Sequence, residues 1–258
     1  VSGNQVGGAL TVSTVVQHDT VILTDNTVAE DLRVTSVSSG PGYFTGNVIG
    51  NGVYIAAVSY EGYVFRNNNI ASGDLTGNFT ALATSEISYN TFGSGGIGIT
   101  SKSTDLIIHS NIIDIDGSES GIRFNSIAGG LIDHNTITVP YVEPSGLPFE
   151  EDTAATCGVY VQSVSFGGMR GNQISGGAYG VYLSAIASND FDRNEIADSH
   201  YGLYLKSVSA YVDSNRVENC IAHGMILDYQ PEYADTNSIR LNHNIVRNNG
   251  GYGIWTKG

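Results

Sequence analysis

An asparagine recurs along the whole chain with a constant arrangement of apolar and polar residues around it. The residue three places before it is apolar, the residue two places before it is polar, and Val, Ile or Phe stands two places after it. This alternation has the period of a β-strand, whose successive side chains point to opposite sides, so each repeat predicts strand rather than helix. The recurring asparagines are Asn4, Asn26, Asn47, Asn68, Asn90, Asn111, Asn135, Asn172, Asn194, Asn215 and Asn244.

Most of these asparagines lie 21 to 24 residues apart, which is the spacing of a solenoid. We therefore predict an all-β fold, a single-stranded right-handed parallel β-helix of about eleven coils, where a coil is one turn of the solenoid. A β-propeller would need a period of about 40 or more. We expect each asparagine to adopt the left-handed conformation at a corner and to bond to the asparagine of the next coil.

A second repeated feature is a glycine followed by an apolar residue, an outward residue and another apolar residue. It recurs eight times between Gly52 and Gly253. In such a strand the middle residue points to solvent, so the sequence predicts one outward column along the molecule. That column consists of Tyr54, Gly98, Arg123, Tyr160, Tyr182, Tyr204, Ile226 and Trp255.

Two intervals between asparagines are long, at 37 and 29 residues, and they locate two insertions at 141–156 and 229–236. Loops placed on a rigid scaffold tend to carry function. We expect these two to wall a cleft over the outward tyrosines. Because both ends of the chain fall within the repeat, we expect a single domain over residues 1–258. We also expect it to be a segment of a longer chain, with further chain or a partner covering the solenoid ends.

The repeat resembles that of the right-handed parallel β-helix superfamily of the NosD-like and carbohydrate-binding or sugar-hydrolase type. The same superfamily includes pectate lyases, mannuronan C5-epimerases and phage tailspikes. The resemblance covers nearly the whole chain and implies a polysaccharide partner. The epimerases carry a Tyr-Gly-Ile-Asp-Pro-His run, and this chain has Tyr-Gly at 179–180, 201–202 and 252–253 but Tyr182, Tyr204 and Trp255 where that run has Asp.

We expect the outward column to bind a glycan, because tyrosine rings stack on the apolar faces of sugars. The predicted binding residues are Tyr160, Gln162, Arg123, Tyr179, Tyr201 and His223. A lyase or epimerase needs a base and a cation, and a hydrolase needs two carboxylates. The candidate catalytic residues are Lys206, Tyr204, Tyr182 and Asp228, with a loop acid as a possible partner of Asp228.

The amino-acid composition restricts the classes of partner that this protein can bind. With 11 Lys and Arg against 25 Asp and Glu, the net charge is −14, which argues against nucleic acid. No apolar run reaches the length of a membrane span. We expect that no cofactor is required, although the acidic run Glu150-Glu151-Asp152 offers oxygen ligands for Ca²⁺. The low lysine content and acidic balance favour an extracellular or cell-surface location, with the periplasm as an alternative.

A non-catalytic surface, filament or spike module is the alternative to a glycan-binding protein, since a rod is useful for its shape alone. Two smaller expectations accompany both interpretations. His109, Asp133 and Arg170 form a mixed-charge ladder at equivalent positions of consecutive coils. Cys157 and Cys220 lie three coils apart, about 14 Å, which is too far for a disulfide.

Overall fold

The computed structural model describes residues 1–16, 20–38, 40–59, 61–81, 83–100, 105–117, 120–125, 129–145, 155–162, 166–184, 189–229 and 238–257. Within these ranges the chain forms 32 strands arranged in three parallel sheets. Apart from the strands at the two ends of each sheet, which have one partner, each strand pairs with the strand three places earlier and with the strand three places later. The molecule is therefore a three-sided parallel β-helix, and the described strands make up eleven coils, as the repeat predicts.

The three sheets differ in the length of their strands. The first sheet contains β1 (Gln5–Val6), β4 (Thr27–Val28), β7 (Val48–Ile49), β10 (Asn69–Ile70), β13 (Thr91–Phe92), β16 (Ile112–Asp114), β19 (Thr136–Val139), β22 (Gln173–Gly176), β25 (Glu195–Ala197), β28 (Arg216–Glu218) and β31 (Ile245–Arg247). The second contains β2 (Leu10–Val16), β5 (Leu32–Ser38), β8 (Val53–Ser59), β11 (Leu75–Ala81), β14 (Ile97–Thr100), β17 (Ser120–Asn125), β20 (Cys157–Gln162), β23 (Tyr179–Ser184), β26 (Tyr201–Lys206), β29 (Met225–Asp228) and β32 (Ile254–Lys257). The third contains β3 (Val21–Thr24), β6 (Gly42–Thr45), β9 (Tyr63–Arg66), β12 (Ser85–Ser88), β15 (Leu106–His109), β18 (Leu131–Asp133), β21 (Gly168–Arg170), β24 (Asn189–Asp192), β27 (Ala210–Asp213) and β30 (Ile239–Asn242).

Apolar side chains from all three sheets fill the interior of the tube. Ile55 from the second sheet, Phe65 from the third and Ile70 from the first are fully buried in one continuous cluster. Burial of a side chain of this size contributes about 1.5–3 kcal/mol. The apolar residues that flank the outward positions from Tyr54 to Ile226 also point into this core, as the alternating pattern predicts.

The recurring asparagines form an unbroken buried ladder at one corner of the tube. The Nδ2 of each asparagine donates to the Oδ1 of the asparagine in the next coil, at 2.8–3.1 Å, from Asn4 through to Asn244. The same Oδ1 also accepts the backbone N–H of the preceding ladder residue, for example from Asn68 to Asn90 at 2.8 Å. The predicted bonding between coils is confirmed.

The left-handed conformation belongs to the residue before each ladder asparagine, so the expectation that the asparagine itself adopts it is wrong. Asp25, Tyr89 and His134, for example, have φ values of 54°, 55° and 51°. The asparagine takes an ordinary conformation because both polar ends of its side chain are already committed to neighbouring coils. The preceding residue makes the turn instead.

The glycine that begins the repeated pattern in the second sheet is required by close packing at several coils. A Cβ on Gly202 would contact the side chains of Val217 and Cys220. Gly98, which occupies the outward column rather than the corner, is different, because a Cβ there would meet only the Thr76 methyl group at an ordinary 3.7 Å. The inside of the corner at Gly202, in coil 9, therefore has no room for a Cβ, while the outer surface of the sheet at Gly98, in coil 5, is open.

The two cysteines are both free and buried, so the prediction that they form no disulfide is confirmed. Burial raises the pKa of the Cys157 thiol and raises the pKa of the Cys220 thiol to about 12. Both thiols are therefore protonated at neutral pH and pack as small apolar groups.

Candidate functional site

The outward column that the sequence predicts exists on the second sheet. Backbone pairing aligns Arg33, Tyr54, Thr76, Gly98, Arg123, Tyr160, Tyr182, Tyr204, Ile226 and Trp255 in consecutive coils. Their neighbours in the strands point into the core. The column is continuous along the molecule, but its members differ greatly in how much of each side chain solvent can reach.

Tyr160 and Tyr182 are buried, so the expectation that they present their rings to solvent is wrong. Only 3% of Tyr160 and 2% of Tyr182 is exposed. They belong to a second apolar cluster outside the tube, which also includes Tyr179, Cys157 and Ala155. Ala155 is the end of the first insertion, so this part of the chain lies against the tyrosines. A ring that is covered in this way has no face left for a sugar.

The buried rings stabilise one another along the column. The Tyr182 ring stacks on Tyr160 at 5.8 Å and on Tyr204 at 4.9 Å between centroids. Tyr179 meets Tyr182 edge-on at 5.4 Å. Such pairs contribute roughly 0.5–1.5 kcal/mol each beyond burial. The tyrosines that look most like a sugar platform in the sequence therefore form a stabilising cluster instead.

The structure brings three of the four predicted catalytic residues together at coils 9 and 10. The Tyr204 hydroxyl donates to Asp228 Oδ2 at 2.5 Å, and Lys206 pairs in register with Asp228. Asp228 is buried and also accepts a hydrogen bond from Lys257 Nζ at 3.3 Å. Lys257 was not among the residues predicted from the sequence, although register extends the Lys206–Asp228 column to it. The fourth predicted residue, Tyr182, lies one coil away with no exposed surface.

Two of the predicted binding residues, Arg123 and Gln162, both contact Tyr160. The Tyr160 hydroxyl donates to Gln162 Oε1 at 2.9 Å. The guanidinium carbon of Arg123 lies 5.2 Å from the centre of the Tyr160 ring, a cation–π contact. Arg123 and Gln162 are themselves exposed. They mark the border between the open and the covered part of the outward column.

The remaining predicted binding residues belong to a parallel stack of rings. Tyr179 meets Tyr201 at 5.2 Å, and Tyr201 stacks on His223 at 5.9 Å. His223 Nδ1 accepts the backbone N–H of Tyr252 at 2.9 Å, and burial lowers the pKa of His223 below its usual value. This histidine is therefore neutral at pH 7 with its proton on Nε2. Tyr201 and His223 are half-buried, while Tyr179 is buried.

An open groove lies on the same sheet over β5 to β17, toward the N-terminal side of the buried tyrosines. It consists of two adjoining depressions of about 410 Å³ and about 310 Å³, which share Tyr54 and Thr76. We call this surface the Tyr54 groove. Its other polar and glycine lining residues are Asp31, Arg33, Gly52, Asp74, Gly77, Gly98, Thr100, Arg123 and Asn125.

The floor of the Tyr54 groove combines one aromatic ring with polar groups and an open gap. Tyr54 is 46% exposed, and Gly98 leaves the position two coils further on without a side chain. The sequence places Tyr54, Gly98 and Arg123 in the outward column but gives no sign that this stretch, rather than the tyrosine-rich one, is open. Exposure here depends on the absence of an insertion over these coils.

Two carboxylates on the groove are held in place by backbone amides. Asp31 Oδ1 accepts the N–H of Gly52 at 3.3 Å, and Asp74 Oδ1 accepts the N–H of Gly96 at 2.6 Å. Asp31 Oδ2 also forms an ion pair with Arg33 at 3.0 Å. Each acid uses one oxygen for the backbone of the next coil.

The other chemical candidates do not form a site within the described ranges. Asp133 accepts hydrogen bonds from Arg170 at 3.1 Å and from His134 at 2.6 Å, and His109 contacts Glu86 at 3.1 Å. These are the contacts of a mixed-charge ladder. Among the residues that the structure describes, no group of three or more His, Cys, Asp or Glu side chains is arranged to hold a metal ion. The predicted Ca²⁺ ligands Glu150, Glu151 and Asp152 lie outside the described residues, as does nearly all of the second insertion, 230–236.

The described part of the chain contains no helix that is long and apolar enough to cross a membrane. The family model described as "Right handed beta helix region" matches residues 149–258. This match agrees with the three-sided parallel solenoid described above and gives its handedness. No curated protein matches the chain, and no solved structure matches it.

Proposed function

We propose that this right-handed parallel β-helix binds a polysaccharide chain in the Tyr54 groove. The observation that carries the proposal is the joining of two depressions around one exposed tyrosine, on the sheet with the longest strands. This surface replaces the tyrosine platform expected at Tyr160 and Tyr182, and its exposed ring, Tyr54, lies on the same column four coils before Tyr160.

The groove offers both kinds of contact that sugar recognition requires. A pyranose ring has an apolar face, which stacks on an aromatic ring such as Tyr54, and a rim of hydroxyls. Asp74, Thr76 and Asn125 supply acceptors and donors along the same wall. The side chains that fix orientation are few and are positioned by strands, as in preformed ligand sites generally.

The repeat of the β-helix also suits a linear polymer. Equivalent side chains recur at roughly 4.8 Å from coil to coil, and a pyranose repeats along its chain at a similar interval. From Asp31 beside β5 to Arg123 in β17 the groove crosses four such steps, about 19 Å. A chain that runs along the solenoid axis therefore meets a new rung with each sugar. Such a ligand belongs at the cell surface or outside the cell, which fits the compositional expectation for this protein.

A glycan array tests the proposal with three variants. Tyr54→Ala removes the stacking ring, and Gly98→Phe fills the open gap with a side chain that points outward. Tyr211→Ala is the matched control, because Tyr211 is 47% exposed, nearly the same as Tyr54, but lies on the third sheet. We expect the parent protein and Tyr211→Ala to retain the same glycans, while Tyr54→Ala and Gly98→Phe bind them at least tenfold more weakly.

Retention of the glycans by both groove variants would contradict this location. Binding of no glycan by the parent protein would reject the function and favour a structural rod. Incubation of the retained glycan with the parent protein, followed by detection of unsaturated or reducing-end products, then separates a binding module from an enzyme.

A further inference from the structure

The two ends of the Tyr54 groove have opposite charge. Asp31 and Asp74 lie at the end near β5 and β11, where Arg33 neutralises only Asp31. At the other end, in β17, the one charged lining residue among those described is Arg123. The groove is therefore acidic at one end and basic at the other, with uncharged residues between them.

Arg123 is one of two arginines, with Arg240, for which the described part of the chain supplies an aromatic ring but no ion pair with a carboxylate. Six other arginines form ion pairs with carboxylates, namely Arg33, Arg66, Arg170, Arg193, Arg216 and Arg247. Within the part of the chain that the structure describes, Arg123 has no such ion pair and lies over the Tyr160 ring at 5.2 Å. In a chain with 25 acidic and 11 basic residues, a guanidinium that no carboxylate occupies is a site for an anion from outside.

The groove also ends at Arg123. The next residue along the outward column is Tyr160, which pairs in register with Arg123 and is buried, as is Tyr182 after it. The cluster that contains these rings includes Ala155, so the sheet surface is covered beyond this point. A polymer that follows the column cannot continue past Arg123 on the floor of the sheet.

We propose that the groove binds the end of a glycan chain, and that Arg123 holds a carboxylate on the terminal sugar while the rest of the bound chain is uncharged. This inference rests on the proposed function and adds the class of ligand. A guanidinium binds a carboxylate through two parallel N–H···O bonds, and the Tyr160 ring beneath Arg123 keeps its plane in one orientation. Asp31 and Asp74 repel further carboxylates, so a chain that is acidic throughout is a poorer ligand than a chain with one terminal acid.

Four tetrasaccharides built on the backbone that the array selects test this inference by calorimetry. One carries a uronic acid at a chain end, the second is its carboxyl-reduced form, the third carries the acid internally, and the fourth is acidic in every residue. The terminal acid is prepared at the reducing end in one series and at the non-reducing end in another. We expect the terminal acid in one series to bind at least tenfold more tightly than the other three chains.

Two arginine variants assign the preference to one side chain. Arg123→Gln should bind the terminal acid and its carboxyl-reduced form equally. Arg240→Gln is the matched control, because Arg240 lies over the Tyr211 ring at the same 5.2 Å on the third sheet. It should keep the parent's preference.

The inference is overturned if terminal acid and carboxyl-reduced form bind equally in both series, if the internal or fully acidic chain binds best, or if Arg123→Gln keeps the preference. If the parent protein binds neither the carboxyl-reduced chain nor the chain with the terminal acid, the proposed function is rejected instead. Binding of both with equal affinity rejects only the role of Arg123. The two failures are thus distinguishable.

Discussion

Asn135 donates from its Nδ2 to the Oδ1 of Asn172 at 3.0 Å, although 37 residues separate them in the chain. Asn26 and Asn47 are only 21 residues apart and form the same bond at the same 3.0 Å. The first insertion therefore leaves the stacking of the coils on either side of it unchanged. A solenoid of this kind can carry an added surface feature without a change in its core.

Replacement of one ladder asparagine should destabilise the protein strongly. Asn90→Ala removes an acceptor from Asn68 and donors from Asn111 and the Phe65 carbonyl, all in the buried interior. Unsatisfied buried groups cost about 1–3 kcal/mol each, so we expect a loss of about 3 kcal/mol in the free energy of unfolding. Urea denaturation measures it. The exposed neighbour Asn69→Ala is the control, with an expected loss below about 0.5 kcal/mol. Equal losses would contradict a special role for the ladder.

Two glycines of the second sheet, Gly202 at the corner and Gly98 in the outward column, should respond differently to alanine. Gly202→Ala places a Cβ against Val217 and Cys220, and overpacking of this kind costs typically about 1–3 kcal/mol. Gly98→Ala meets only Thr76 at 3.7 Å and should change stability by less than about 0.5 kcal/mol. Thermal unfolding of the two variants checks the difference. A loss in Gly202→Ala as small as the one expected for Gly98→Ala would show that the corner at coil 9 has more room than the structure indicates.

Tyr182 should matter for stability and Tyr54 for binding. Tyr182→Ala empties a buried site between Tyr160 and Tyr204, and truncation of a buried aromatic residue costs about 3–5 kcal/mol. Tyr54→Ala truncates a half-exposed ring and should leave the unfolding temperature nearly unchanged. We expect the folded fraction of Tyr182→Ala to keep its glycan affinity. The reverse outcome, with Tyr182→Ala stable but unable to bind, would restore the tyrosine platform expected from the sequence.

Both thiols should be unreactive in the folded protein. Burial raises the pKa of Cys220 to about 12 and raises the pKa of Cys157 as well, so almost no thiolate exists at pH 8. Iodoacetamide at that pH should leave both cysteines unmodified by mass spectrometry and should alkylate both after denaturation. The pKa values of both thiols are higher in the folded protein than in the unfolded chain, so the unfolded chain loses these protons at a lower pH. The contribution of the protonated thiols to the free energy of unfolding is therefore complete below about pH 8.5 and declines as the pH rises toward 12. Rapid alkylation of the native protein at pH 8 would contradict the burial of the two side chains.

The repeat alone was sufficient to predict the β-helix, its eleven coils, the inward residues and the links between asparagines. These features follow from the alternation of apolar and polar residues and from its recurrence with a nearly constant period. Each coil therefore provides the same evidence independently. The conformation of the asparagine was predicted wrongly, because the sequence does not show whether Asn90 or Tyr89 turns the corner. That choice depends on the two hydrogen bonds that fix the Asn90 side chain between its neighbouring coils.

The outward column was predicted correctly, but the sequence did not indicate which coils of that column have exposed side chains. Alternation shows that Tyr160 and Tyr54 lie on the same outer side, yet it contains no information about what lies above each of them. The sequence also shows neither that Tyr204 and Lys257 meet at Asp228 nor that Arg123 lies over Tyr160. These contacts join residues from different coils through side-chain conformations that no pattern in the sequence encodes.

The amino-acid sequence by itself thus determines the path of the backbone, because backbone pairing and an apolar core act in every coil in the same way. The tertiary structure alone decides which stretch of the outer surface remains accessible. That property depends on where a segment of chain outside the repeat packs, and at Ala155 it packs against the tyrosines and leaves the neighbouring coils around Tyr54 open.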